Sequence, residues 1–247
     1  MAETIDQLVA ARDQVLAAIR HGVIVSCQAE AGGPLDAPEY IAAMAVSAER
    51  GGAVGLRIDN PVNVRAVRAL TTVPVIGIYK QYRPDSDVYI TSTFESARVV
   101  VEAGADVVAL DGTPRPRPDG ETFAEIVRRV HRECGVPVMA DVSTVEEAAA
   151  AARAGADLVA TTLAGFTPYS TGVRDNAALA GRIAAAVPVP VVVEGGLWTV
   201  DDVRAGFDAG AFAVVVGSAV TAPELITRRL SAAAPRSANA ARDGRMP

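Results

Sequence analysis

A (β/α)8 TIM barrel, in a single α/β domain, is the fold class that this sequence predicts, on three observations. Short apolar runs, each suited to a strand buried on both faces, alternate eight times with helical stretches. A small-residue corner recurs ahead of the runs: Arg50-Gly51-Gly52-Ala53, Ala103-Gly104-Ala105-Asp106, Ala154-Gly155-Ala156-Asp157 and Ala209-Gly210-Ala211-Phe212. A Val-Pro corner recurs as well, at Val73-Pro74, Val136-Pro137 and Val187-Pro188-Val189-Pro190. The chain has 247 residues, a length that suits one such domain. The competing open doubly wound sheet would carry G-x-G-x-x-G after its first strand, and none stands there.

Taken in order, residues 3–20 predict an amphipathic helix, with Ile5, Leu8, Val9, Val15, Leu16 and Ile19 on one stripe. Strands follow at Gly22–Ser26, Ala53–Arg57, Val75–Tyr79, Val107–Asp111, Val136–Asp141, Leu158–Thr162, Val189–Glu194 and Ala213–Gly217. Glycine in the first corner type suits the left-handed residue after a helix end. Proline in the second stops the helix and enters the next strand at its first residue. Residues 1–231 make the barrel, and residues 232–247, without apolar periodicity, predict a flexible tail.

Hydrophobic residues make up 50% of the chain and charged residues 21%, so a sizeable core is expected rather than disorder. The net charge of −6 argues against a nucleic-acid partner, which needs a basic patch, but leaves room for a small anionic ligand. Cys27 and Cys134 make no metal-spaced motif and read as reduced structural thiols. His21 and His131 read as surface groups rather than ligands. The chain opens on no signal stretch and has no apolar run of membrane-spanning length, so a cytoplasmic protein with no membrane partner is expected.

In this fold, chemistry gathers where strands end and βα loops begin. The predicted strand ends carry Ser26, Cys27 and Gln28; Arg57; Lys80; Asp111; Asp141; Thr161 and Thr162; Glu194, Gly195 and Gly196; and Gly217 and Ser218. Caps explain a few of these, since Asp and Ser start helices well. After Asp141, however, Ser143 or Thr144 is the better cap, which leaves Asp141 to face the mouth. Lys80 is the only lysine, and the other 22 cations are arginine. Arginine stays protonated, whereas a buried lysine can act as a base. A solvated loop lysine is the plain alternative, and the strand-end position favours chemistry.

Gly195-Gly196 and Gly217-Ser218 occupy the usual phosphate corner, after strands seven and eight. Glycines let backbone N–H groups approach an oxyanion, and Ser218 adds a hydroxyl. If strands three and seven lie on opposite sides of the barrel, Lys80 and Glu194 approach one substrate carbon from different directions. A lysine base and a carboxylate suit removal and return of a proton beside a carbonyl. Arg57, Asp141 and Gln28 are placed to hold hydroxyls or an amide. No strand end carries histidine, so no metal is expected. The loop Asp111–Gly120, with Arg115 and Arg117 between prolines, is either a clamp at the mouth or a plain long loop.

SCQA (Ser26–Ala29), GIYKQYRPDSDVYIT (Gly77–Thr91), the loop Asp111–Gly120, MADVST (Met139–Thr144), TTLAGFTPYS (Thr161–Ser170), VEGG (Val193–Gly196) and VVGSAVTAPELITRRL (Val215–Leu230) resemble the bacterial N-acetylmannosamine-6-phosphate 2-epimerases. The resemblance implies a TIM barrel of sialic-acid catabolism that interconverts N-acetylmannosamine 6-phosphate and N-acetylglucosamine 6-phosphate without metal or redox cofactor. By the same resemblance Lys80 and Glu194 are catalytic. Gln28, Arg57, Asp141, Thr162 and Tyr169 hold substrate, and Gly195, Gly196, Gly217 and Ser218 hold phosphate. Two departures stand out: Gln81 follows the lysine where many members have a basic residue, and Gly196 stands where many have Arg or Lys.

Two other readings remain at this stage. One is another phosphosugar barrel, such as an isomerase, a ketose-phosphate epimerase, a decarboxylase or an aldolase using Lys80 as Schiff-base nucleophile, although a metal-type ketose-phosphate epimerase would want histidine ligands that the strand ends lack. A non-catalytic phosphosugar-binding barrel would have no need of both Lys80 and Glu194. The segment Ala222–Leu230, with Leu225, Ile226 and Leu230, is apolar enough to pack on its own barrel or on a partner's, and a homodimer is expected.

Overall fold

The computed structural model describes residues 5–235, with side chains from residue 10 onward. Most of the expected tail, residues 236–247, lies outside the described residues. Eight parallel strands close into a barrel in chain order. They are β1 (Val23–Cys27), β2 (Gly55–Asp59), β3 (Val75–Ile78), β4 (Val107–Asp111), β5 (Val138–Asp141), β6 (Leu158–Ala160), β7 (Val191–Glu194) and β8 (Ala213–Val216). Helix α1 (Ile5–Ile19) precedes the barrel. Between strands run α2 (Pro38–Arg50), α3 (Pro61–Arg68), α4 (Phe94–Glu102), α5 (Phe123–Arg129), α6 (Val145–Arg153), α7 (Asn176–Ala184) and α8 (Val200–Asp208). A short α9 (Ser218–Thr221) and α10 (Pro223–Ser231) follow β8. Among the described residues no helix is long and apolar enough to cross a membrane.

The two corner types work as local chemistry requires. Gly52, Gly104, Gly155 and Gly210 follow helix ends at φ of 97°, 111°, 100° and 91°, a region that a Cβ disfavours. The prolines differ from expectation by one position, because β3, β5 and β7 begin just after Pro74, Pro137 and Pro190. Proline has no N–H for the ladder, but its carbonyl still serves it. Pro74 accepts from Leu56 at 2.9 Å, and Pro137 and Pro190 accept from Val108 and Val159 at 3.1 Å. Threonine caps open α4, α5, α6 and α8, and Thr144 rather than Ser143 caps α6 in a reciprocal box with Glu147.

Strand alternation sorts side chains into two cores. The outward set, including Leu56, Ile58, Val75, Val108 and Val138, packs against the helices. The inward set includes Ile24, Ile76, Ile78, Val107, Met139, Leu158, Val192 and Ala213, and Ile19 of α1 joins it, fully buried. Helix α1 is pinned there by Arg12, which donates to Asp157 at 2.5 Å. His131, expected as a surface group, is half-buried in the same cluster, 2.8 Å from Asp157. The correction arises because α1 packs beside it, a contact that local sequence does not announce. Cys27 is free and buried, and burial pushes its thiol up to about 12.

Helix α10 is unlike the others in having no buried residue, with Leu225 and Leu230 left exposed. An apolar groove of about 640 Å³, lined by residues such as Val25, Leu35, Tyr40, Met44 and Val220, lies beside α2 and α9.

Packing is tight where β3 meets α4. A Cβ on Gly77 would stand 2.2 Å from Val100 Cγ1 and 2.7 Å from Ala105 Cβ. Gly77→Ala is therefore expected to destabilise the barrel by roughly 1–3 kcal/mol, read from the urea unfolding midpoint. An unchanged midpoint would show that α4 can move away freely.

Candidate active site

The inward alternation of each strand continues past the apolar core to its C-terminal end. On β2 it places Arg57 and then Asp59; on β3, Ile76 and Ile78, followed by Lys80. On β5 it places Asp141, and on β7 Glu194. Arg57 is 1% exposed at the centre of the barrel. Its guanidinium donates to both oxygens of Asp141, at 3.1 and 2.6 Å, and pairs with Glu194 at 3.0 Å. Thr162, in the turn after β6, lies 2.7 Å from Asp141 and 3.0 Å from Glu194. Three strands and the turn after β6 are thus joined by one buried cation between two carboxylates, with a hydroxyl shared between them. Burial raises the pKa of Glu194, and the nearby Arg57 charge opposes the rise.

Lys80 reaches the same space from β3. Its Nζ donates to Gln28 Oε1 at 2.5 Å, and the Gln28 amide in turn donates to Ser26 Oγ at 2.7 Å. The partner of the ammonium is thus a neutral amide rather than a carboxylate. Burial lowers the Lys80 pKa, Asp59 opposes this, and the Arg57 charge adds to the lowering. The backbone N–H of Lys80 is held by Asp59 Oδ1 at 2.8 Å.

A cavity of about 400 Å³ opens over these groups. Gln28, Arg57, Lys80, Thr162 and Glu194 line it together with Gly195, Gly196, Gly217 and Ser218. Gly195 and Gly196 sit at φ of 100° and 73°, so the chain turns tightly there with backbone at the surface of the cavity. Among the described residues, the N–H groups of Gly196 and Leu197 find no backbone or side-chain acceptor. Those of Ser218 and Ala219 open α9, where no intrahelical acceptor exists. The glycine turns and the start of α9 offer free donors, and Lys80 and Glu194 are titratable groups of the same lining.

Two of the expected substrate-holding residues lie elsewhere. Asp141 was expected at the mouth, but it is fully buried beneath Arg57 and Thr162 and does not line the cavity. Tyr169 was expected to hold substrate, but its hydroxyl donates to Glu147 at 2.5 Å and its ring is 54% exposed, outside the cavity. The long segment after β6 sets its direction, and no strand alternation governs that segment. The loop Asp111–Gly120 binds mainly itself: Arg115 pairs with Asp111 at 2.6 Å, and Arg117, 8% exposed, donates to the Asp111 carbonyl. Gln81 accepts from Ser96 at 2.6 Å, away from the cavity.

Sequence reasoning missed Asp59, because the second strand was expected to end at the first charge, Arg57. The signal was present, since Asp59 has the same alternation parity. It also missed Tyr89, Phe166 and Trp198, which line the cavity from loops.

The comparisons with known proteins point to one family. The NanE family, described as "Putative N-acetylmannosamine-6-phosphate epimerase", matches residues 41–235. A Synechococcus elongatus protein named "Putative N-acetylmannosamine-6-phosphate 2-epimerase" is 51% identical over 217 residues, covering 87% of this chain and 94% of that one. A protein of the same name from Cutibacterium acnes is 46% identical over 220 residues, covering 87% and 94%. The solved N-acetylmannosamine-6-phosphate 2-epimerase of Clostridium perfringens superposes with a TM-score of 0.85 at 35% identity, covering 88% of this chain and 95% of that one. With its barrel, its strand-end lysine and its long matches, this chain belongs to the N-acetylmannosamine-6-phosphate 2-epimerase family.

Proposed function

We propose that this protein interconverts N-acetylmannosamine 6-phosphate and N-acetylglucosamine 6-phosphate by removing and returning the proton at C2. The observation that carries the reading is Lys80: the chain's only lysine, with a depressed pKa, in a cavity that also presents free backbone donors. The C2 proton becomes acidic once the sugar ring opens to an aldehyde. Neutral Lys80 takes that proton and becomes an ammonium, and the electron pair passes to the C1 oxygen as an enolate. Return of a proton to the opposite face of C2 gives the epimer. Arg57 supports the enolate with its charge. Glu194, kept partly protonatable by burial, is suited to the transfers at O1 and O5 that open the ring. The phosphate takes the N–H groups of Gly196, Leu197, Ser218 and Ala219. Two free cysteines fit a reducing cytoplasm.

The test is proton NMR of the enzyme with N-acetylmannosamine 6-phosphate in D2O. Growth of N-acetylglucosamine 6-phosphate carrying deuterium at C2 is expected, and an unexchanged C2 proton alongside substrate binding overturns the reading. Lys80→Ala and Lys80→Arg should both lose at least about 100-fold in rate, because arginine stays protonated. An active Lys80→Arg enzyme would remove Lys80 from the base role. The rate of the native enzyme is expected to rise with pH as Lys80 loses its proton, and burial places that rise below the usual lysine range.

Arg57→Met removes the only cation between Asp141 and Glu194 and should destabilise the fold by about 3–5 kcal/mol at neutral pH. The loss should shrink on acidification, as Glu194, already raised by burial, takes up a proton. Denaturant unfolding at two pH values measures both effects, and an equal loss at each pH contradicts the charge account.

Assembly as a homodimer is part of the same proposal. The uncovered apolar residues of α10 and the apolar groove beside α2 and α9 support a second copy as the occupant. Light scattering should give twice the chain mass, and Leu225→Asp with Leu230→Asp should reduce it to the monomer. A native monomer rules the dimer out.

A further inference from the structure

Asp59 takes no part in the functional reading so far, yet it is the carboxylate most tightly tied to Lys80. We propose that Asp59 is a positioning residue that sets the basicity of Lys80 from a fixed distance and steadies the ammonium formed when Lys80 takes the substrate proton. The inference rests on the reading of Lys80 as the C2 base.

Three observations carry it. First, Asp59 Oδ1 accepts the backbone N–H of Lys80 at 2.8 Å. The carboxylate is thereby anchored to the main chain of the residue whose side chain it influences. It stays near the ammonium but does not pair with it: among the described residues Lys80 Nζ bonds to Gln28 and forms no ion pair within 4.0 Å. A carboxylate in direct contact would hold the proton on Lys80 and remove the base, whereas one held away lifts basicity only in part.

Second, the other charges facing Lys80 are already committed. From β2, Arg57 drives the proton off. From β5 and β7, Asp141 and Glu194 attract it, but each touches Arg57, at 2.6 and 3.0 Å. From β1, Gln28 and Ser26 offer neutral partners, and Tyr89, in the loop after β3, lines the same cavity as a neutral phenol. Asp59 alone forms no ion pair within 4.0 Å among the described residues, so it is the carboxylate beside the base that no contact has claimed. Burial raises its own pKa, and the Lys80 N–H and the charges of Lys80 and Arg57 oppose that rise and favour its ionised form. Asp59 is also the foremost of the charges that raise the Lys80 pKa against burial.

Third, the position is rigidly defined. Asp59 ends β2 in register with Ile78 of β3, two residues before Lys80. Its own carbonyl accepts from Asn63 Nδ2 at 2.9 Å, and the next residue, Asn60, is held at φ of 77° with its N–H on the Ile78 carbonyl at 2.9 Å. A non-glycine residue in that region shows that the strand end is fixed by its surroundings.

The single lysine allows a direct test on the full chain. Protein grown with lysine labelled with carbon-13 at Cε has one labelled site, and its chemical shift titrates Lys80 alone. Asp59→Asn keeps an acceptor for the Lys80 N–H and removes only the charge. The Lys80 midpoint is expected to move to lower pH, the acid limb of kcat/KM to move with it, and the plateau kcat to fall about threefold as the base weakens. Asp59→Glu keeps the charge, and its midpoint is expected at or above the native one. An unmoved midpoint in Asp59→Asn, or a fall in Asp59→Glu equal to that in Asp59→Asn, overturns the proposal. A purely structural Asp59 would lower the thermal midpoint or raise KM without moving either titration. Failure of the epimerase reading itself appears separately, as a native protein that titrates but does not turn over.

Discussion

The buried guanidinium of Arg57 is the interaction on which the rest of this barrel depends. An arginine 1% exposed cannot remain in an apolar core without anionic partners. It is therefore the reason that Asp141 and Glu194 stand where they do. The three groups and Thr162 join β2, β5, the turn after β6, and β7 across the barrel. Below them lies a dry layer of Ile, Val, Leu and Met, closed at the bottom by Ile19. Above them lies the cavity. The ion cluster is the boundary between the part of the molecule that is packed and the part that binds.

That boundary also determines what Lys80 can be. A lysine in water is a poor base near neutral pH because it holds its proton. Burial and the fixed positive charge of Arg57 weaken that hold, and the amide of Gln28 orients Nζ without supplying a compensating charge. Glu194 is driven in the opposite direction by the same burial. One environment thus pushes a base towards neutrality and an acid towards protonation, which is the pairing that proton transfer at carbon requires. The donor-rich turns at Gly195-Gly196 and the start of α9 line the same cavity, so an anionic group held there would place the rest of a ligand within it, beside Arg57 and Lys80.

Much of the architecture was legible because it is written locally. Apolar runs with small or Val-Pro corners mark strands buried on both faces, and the observed barrel has eight strands in chain order. Glycine corners at positive φ and threonine caps follow from the preferences of single residues. Alternation of period two carries inward parity to Arg57, Lys80, Asp141, Glu194 and Thr162, and all but Asp141 line the cavity. The errors have physical causes of their own. Asp59 was lost because a charge was taken as the end of a strand. Asp141 was misplaced because depth in the barrel is set by the stagger of neighbouring strands. Tyr169 was misdirected because its long loop obeys no period.

By itself the sequence determined the number and order of βα units, the parity of each inward side chain and the presence of one base-capable lysine, because these depend on residues within a turn or a strand of one another. The tertiary structure alone decided that Arg57 pairs with Asp141, 84 residues away, and with Glu194. It also decided that His131 meets Arg12 of α1, and that Asp59 holds the main chain of Lys80. Those choices are made by barrel closure, which brings charges from distant strands into a space with little water, where each must find a partner.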